Sequence, residues 1–352
     1  MTNVRKHNYV AYADILRILA AFSVVLLHVA GARLIREPIG SEKFIWAAFF
    51  DCVTRWSVPL FVMLSGMLFL KKDKKLNIKT LYTKNILRLL TAFVFWSFVY
   101  NLYTAYAETH QLKEACKLAF ERIPNGAMHT WFIFVILGLY IVLPFVKRMT
   151  EHMTKREAEY FIGLNFVLTF VTKSLSSFEV FKPYVDYITK FEINVAAGYV
   201  GLFVAGWYID NFEHKKLFRV GSYIAGIAGF LYMFVTTVYF SEVRGFIADE
   251  FMSFKSVGAF MMAFGLMMFF KQAFGKKSFS RRAKSNLAFY SKYTFGIYLV
   301  HEMLLNISTA KGWFVLADYP YVGICIEAMI VFVLSGIIIG IITWLPFGKY
   351  IA

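Results

Sequence analysis

Residues 12–30 read YADILRILAAFSVVLLHVA. As an α-helix this stretch rises about 1.5 Å per residue and matches a bilayer hydrocarbon core of about 30 Å. It is too long for a signal-peptide core and no small-residue cleavage site follows it, so it reads as a retained transmembrane helix. Three ionisable residues interrupt it: Asp14, Arg17 and His28. Arg17 and His28 are eleven residues apart. That is close to three helical turns, so they share one face, roughly 16 Å apart along the axis. Asp14 lies within about 60° of the same stripe. An ionisable group at bilayer depth is costly and faces the interior of a bundle rather than lipid.

Working outward, similar apolar runs recur near 12–32, 44–70, 81–105, 129–147, 158–173, 195–210, 218–240, 251–271, 287–307 and 321–346. The expectation is an all-α, polytopic transmembrane helix bundle of about ten helices, forming one domain over residues 1–352. With the amino terminus placed in the cytoplasm, the inner segments hold 21 Lys and Arg and the outer segments 11. That bias fits an even number of crossings with both termini cytoplasmic. Composition agrees, with 59% hydrophobic and 17% charged residues against roughly 45–50% and 25% for soluble domains. A net charge of +16 would suggest nucleic acid as a partner for a soluble chain, but here the basic residues lie between apolar runs and no nucleic-acid-binding motif occurs. Cys52, Cys116 and Cys325 are too scattered for a disulfide framework or a metal motif. Gly336 and Gly340 in the last run form a small-residue pair suited to close helix packing.

The polar residues inside the runs are the candidate functional set. The second run, FFDCVTRWSVPLFVMLSGMLFL, carries Asp51 and Arg55 at i,i+4, a spacing that lets them neutralise each other or serve a ligand. Pro59 should kink this helix, and Ser65-Gly66 should let backbones approach. The third opens with Lys84 and Arg88, like charges that repel unless an anion lies between them or both reach lipid headgroups. The fourth begins HTWFIFVILGLYIVLP, which puts His129 and Trp131 near the outer interface, where Trp is commonly an anchor. The ninth reads SKYTFGIYLVHEMLL, with Tyr298 and His301 on one stripe and Glu302 beside it. Lys255 is a further buried-charge candidate, as partner to an outer carboxylate. These residues sort into an inner basic layer (Arg17, Lys84, Arg88 and Lys292) and an outer layer (His28, Asp51, Arg55, His301 and Glu302). Cations at the cytoplasmic mouth suit a phosphorylated cytosolic ligand. A histidine in the outer layer suits proton transfer with an extracytoplasmic acceptor. An enzyme and a transporter or flippase for an anionic envelope precursor both fit this pattern. Helices broken by Gly or Pro in matching halves would favour a transporter, but only Pro59 breaks a helix centrally and no halves match.

Five stretches in order resemble the acyltransferase-3 family of bacterial integral membrane O-acyltransferases: Arg17 with His28, SVPLFVMLSGMLF at 57–69, the basic entry to Arg88-Leu89-Leu90, HTWFIFVILGLYIVLP at 129–144 and YTFGIYLVH at 293–301. The resemblance implies a multi-pass protein of the bacterial cytoplasmic membrane. It implies acetyl-CoA or another acyl-CoA as donor, no metal, and as acceptor a hydroxyl on an envelope glycan or lipid-linked sugar. It carries catalytic importance onto Arg17 and His28. The second motif departs from the family pattern, with Pro59-Leu60-Phe61-Val62 where many members have paired Phe residues, and so leaves acceptor choice open. On this reading His28 is general base or acyl carrier, with His301 and Glu302 beside it. Arg17, Lys84, Arg88 and Ser65 hold the donor, and Asp51, Arg55, His129, Trp131 and Tyr298 hold the acceptor.

Overall fold

A computed structural model describes residues 10–193, 197–313 and 315–352. Each of the ten apolar runs falls on a helix, residues 195 and 196 of the sixth run lying outside the described residues, and there is no strand among the described residues. The helices are α1 (Ala11–Leu34), α2 (Glu42–Phe69), α3 (Ile78–Thr109), α4 (Met128–His152), α5 (155–175), α6 (Val200–Asn211), α7 (Lys216–Arg244), α8 (Asp249–Phe274), α9 (Arg281–Ala310) and α10 (Pro320–Ile342). Seven of them, α1–α4, α7, α8 and α10, are long and apolar enough to cross a membrane. The other three differ for separate reasons. The first two turns of α9 are rich in Arg and Lys, although its 30 residues exceed any bilayer. The start of α5 is charged and its helix is interrupted by a π segment over Phe166–Val171. With 12 residues, α6 spans only about 18 Å.

That short helix is the most enclosed element, with Leu202 to Ala205 and Ile209 wholly buried. It lies directly against the second half of α2. A Cβ on Gly66 would come within 1.8 Å of the Phe203 carbonyl oxygen, and one on Gly206 within 1.8 Å of the Met63 carbonyl oxygen. The backbones therefore touch through paired glycines, as Ser65-Gly66 suggested. The Gly336/Gly340 pair behaves otherwise. Gly340 has nothing within 4 Å of an added Cβ and Gly336 meets only Ile297 at 3.7 Å, so the expected close packing does not occur there.

Pro59 acts one turn upstream of itself. It has no N–H for the Arg55 carbonyl, and its ring crowds that carbonyl. Accordingly α2 divides into Glu42–Thr54 and Ser57–Phe69, with Arg55 and Trp56 in the joint. The two halves belong to different apolar cores. Leu60, Met63 and Met67 pack in one with Leu16, Ala20 and Val24 of α1, and Phe44, Ala47 and Cys52 pack in the other with Val25, Val29 and Ala30. The seam between the cores crosses α1 just below His28 and α9 near Ile297 and Tyr298.

Arg33, counted with an outer loop in the sequence reading, instead ends α1 as a buried residue. Its guanidinium donates to Glu327 Oε2 of α10 at 2.5 Å and to the Val315 carbonyl at 2.7 Å. The last described residues return to the end of the bundle that carries Arg17. Arg88 and Trp96 of α3 donate to the carbonyls of Ala352 and Ile351, at 2.5 and 2.7 Å.

Candidate active site

The π segment Leu81–Ile86 brings Lys84 and Asn85 around to the same wall as Arg88 at the start of α3. Wide turns of this kind are common at functional sites. With Arg17 of α1 and Lys292 of α9 they line a cavity of about 460 Å³. Four cations and no carboxylate face it, alongside Ser65, Ser291, Thr294 and Tyr140. Lys84 and Lys292 are exposed residues, the Arg88 guanidinium lies over the Phe295 ring at 5.6 Å while it donates to Ala352, and Arg17 is half-buried and steered by Asp14 at 3.3 Å. Asp14 in turn accepts from Ser291 Oγ at 2.7 Å, tying α1 to α9.

The cavity climbs α1 from Arg17 to Val24 and α9 from Ser291 to Tyr298. His28 and His301 are not wall residues; they stand about one turn above its upper end on the same two helices. There the two rings meet, His28 Nδ1 lying 3.3 Å from His301 Nε2. His28 Nδ1 also lies 2.8 Å from the Val24 carbonyl, and His301 Nδ1 2.8 Å from the Tyr298 carbonyl. A carbonyl only accepts, so each Nδ1 carries the hydrogen. His28 then donates to both Val24 and His301, His301 accepts through the Nε2 lone pair, and Nε2 of His28 is left as the basic nitrogen. His28 is half-buried and His301 has no exposure.

Glu302 completes the group, with Oε2 3.9 Å from His301 Nε2 and no hydrogen bond of its own. His129 is buried, its ring 5.5 Å from that of His301 and 5.4 Å from that of Tyr298. Neither of its nitrogens makes a hydrogen bond of normal geometry, although the Leu299 carbonyl is near enough to interact. Tyr298 donates to the His129 carbonyl at 2.5 Å, fixing the entry of α4 against α9. Tyr100 was not singled out in the sequence, yet its hydroxyl donates to the Leu299 carbonyl at 2.8 Å and accepts from the Met303 amide at 2.9 Å. It thus braces the turn that bears His301 and Glu302. Nothing in the apolar pattern of α3 marks Tyr100, because its partners are backbone groups of a distant helix. One ligand atom from each of His28, His301 and Glu302 lies within 4.8 Å of the others, a set that could hold a metal ion. That use competes with the observed contact, since both need the His301 Nε2 lone pair.

The remaining expected residues sit apart from the histidines. Asp51 and Arg55 neutralise each other at 2.5 Å, the structural alternative named above, with Asp51 packed beside Gly31 of α1. Arg55 lies over the Phe254 ring at 5.0 Å, and exposed Trp131 stacks on Phe254 and Tyr199 at 5.7 and 6.4 Å. Trp131 is thus part of an outer aromatic shelf, separated from Tyr298 by the Phe132 ring. Lys255 is exposed above Tyr199 at 5.2 Å, not buried on a carboxylate as expected.

A family model described as an acyltransferase domain matches residues 10–348, nearly the whole chain. The chain belongs to the acyltransferase-3 family. It is a multi-pass membrane acyltransferase. No curated protein and no solved structure matches it. All five stretches that carried the resemblance contribute to the cavity or the histidine pair. Four of them are the α1 column, the second half of α2, the entry of α3 and the YTFGIYLVH segment of α9. HTWFIFVILGLYIVLP contributes Phe132, Ile133, Ile136 and Tyr140 to the cavity wall, while its Trp131 faces away.

Proposed function

We propose that this protein O-acetylates an envelope glycan or lipid-linked sugar at the bacterial cytoplasmic membrane, drawing the acetyl group from cytosolic acetyl-CoA. One observation carries the reading: a cavity walled by four cations ends one turn below a histidine whose free nitrogen is basic. Arg17, Lys84 and Arg88 hold donor phosphates, Ser65 lies along the arm, and the pantetheine thioester extends past Val24 toward His28. The acceptor enters from the outer side, where Asp51, Arg55 and Trp131 line the approach and His129 and Tyr298 form its floor.

In the transfer step, His28 Nε2 takes the proton of the acceptor hydroxyl as its oxygen attacks the thioester carbonyl. A C–O bond forms, the C–S bond breaks, and the CoA thiolate leaves with the proton returned from the imidazolium. His301 accepts from Nδ1 throughout, holding the tautomer and stabilising the cation that forms. Arg17 fixes the donor, so its contribution is positional.

The test is transfer of labelled acetyl from acetyl-CoA by the purified full chain in lipid discs supplied with envelope extract. Release of free CoA thiol with label in a base-labile ester supports the reading, and His28→Ala at equal abundance should abolish it. Full acetylation by His28→Ala would remove His28 from the mechanism. No thiol release by the wild-type protein in any extract, together with uptake of an extract component when the chain is instead reconstituted in sealed vesicles, would favour a transporter.

A further inference from the structure

Directly cytosolic of the cavity lies a second group of cations that the transfer reading has not used. Lys147 is two turns below Tyr140 on α4 and almost wholly buried, at 4% exposure. Its ammonium donates to the Lys71 carbonyl, and it has no carboxylate within ion-pair distance among the described residues. Lys74, in the loop between α2 and α3, lies over the Phe69 ring at 4.6 Å. Phe69 in turn packs on Tyr140 at 5.0 Å, and Tyr140 lines the cavity. Lys74 is therefore one aromatic ring away from the cavity wall. Lys71 completes the set, answered by Asp210 at 3.6 Å.

The balance of charge here is unusual for a folded surface. Facing Lys74 are Lys147, Lys71 and Arg17, and the nearby acid is Asp73 in the same loop. Burial first, and then those three cations, hold the Lys74 amine below its usual range, with Asp73 opposing. Arg17 has Asp14 and Lys71 has Asp210, so Lys74 and Lys147 are the cations left without an acid in contact. A desolvated ammonium without a counterion is costly, and an arriving anion removes that cost.

We propose that Lys74 and Lys147 form a phosphate subsite for the nucleotide end of the donor and take its ribose 3′-phosphate. This rests on acyl-CoA being the donor. The division of labour follows from size and charge. A cavity of about 460 Å³ suits the thin pantetheine arm and the adjoining diphosphate, with Arg17, Lys84 and Arg88 around it. The rigid adenosine carries its dianionic 3′-phosphate outside the cavity, and beyond the Tyr140 wall stand Lys74, one ring away through Phe69, and Lys147, two turns along α4. The shared chemistry, a phosphate monoester, is also offered by some lipid headgroups, so the test must tell the two apart.

The full chain is assayed in discs of zwitterionic lipid with acetyl-CoA and with acetyl-3′-dephospho-CoA. The wild type should favour acetyl-CoA by about tenfold in KM, the worth of one charge-assisted hydrogen bond. Lys74→Ala should collapse that ratio to near one, and Lys74→Arg should restore most of it. Thermal stabilisation by adenosine 3′,5′-bisphosphate should exceed that by adenosine 5′-monophosphate in the wild type and not in Lys74→Ala. This second reading needs no turnover, so it judges the subsite even if no acyl transfer is found. Lys147→Met, which can disturb the loop, is checked the same way. Equal ratios in wild type and Lys74→Ala overturn the subsite while leaving acyl-CoA as donor. So does an effect of Lys74→Ala that appears only with anionic lipid and is the same for both donors, which assigns the lysines to headgroups.

Discussion

Replacing His301 with Phe should lower kcat by about 10- to 30-fold with little change in donor KM. The magnitude follows from the two acceptors around His28 Nδ1, the Val24 carbonyl at 2.8 Å and His301 Nε2 at 3.3 Å. In the variant at rest, the Val24 carbonyl still keeps the hydrogen on Nδ1. When Nε2 takes the acceptor's proton the ring becomes a cation, and its N–H bonds become charge-assisted. Such a bond contributes about 1.5–3 kcal/mol, and the long 3.3 Å separation puts the loss near the lower end. At about 1.4 kcal/mol per tenfold, that is the stated range. Phe preserves most of the packing at a fully buried position against Tyr298 and His129. Gln at the same place can present an amide oxygen and should recover part of the rate, which a purely structural role would not predict. The assay is acetyl transfer at matched abundance with donor titration. Activity within twofold of wild type, or a rise in KM at constant kcat, would show that His301 does not serve the proton on His28.

Arg88→Ala should raise donor KM about tenfold with a smaller effect on kcat, because it removes one cation from the cavity wall. Arg33→Met should destabilise the protein by about 3–5 kcal/mol by leaving Glu327 buried without its partner, and pairing it with Glu327→Leu should recover most of that in a thermal melt. Gly206→Val should prevent accumulation of folded protein, since its Cβ has no room beside the Met63 carbonyl. Acidification should weaken the α6–α7 connection at His214. Burial, then Lys271 and Lys155, pushes this ring down to about 4 against about 6.5 when unfolded. The folded state therefore favours the neutral ring. Its contribution is complete above about pH 6.5 and is lost as the pH falls from there toward 4. His214→Phe should flatten the change in melting temperature between pH 7.5 and 5 (about 1 unit above and about 1.5 units below the unfolded value).

Helix content was legible because most of the apolar runs are close to the length the bilayer demands, and the Arg17–His28 column because helical period alone places both on one face. The approach of His301 to His28 was not, since it depends on how α9 packs against α1. Lys84 and Arg88 were recognisable as like charges needing an anion. The part played by Asn85 depends on a π turn that no simple periodicity announces. Arg33 was misplaced because a charge near a helix end looks like a loop residue until its partner is seen. That partner, Glu327, stands in a long apolar run and could have been found there. Trp131 followed the general habit of interfacial aromatics, and Lys255 the habit of exposed lysines.

The joint at Arg55–Trp56 has a consequence for how such an enzyme can diversify. Because the two halves of α2 anchor in separate cores, residues on the outer half can be exchanged without repacking those around the cationic cavity. Arg55 stands at the joint itself. On the function proposed above, a lineage could therefore change its acceptor by substitution above this point while the donor side stays as it is.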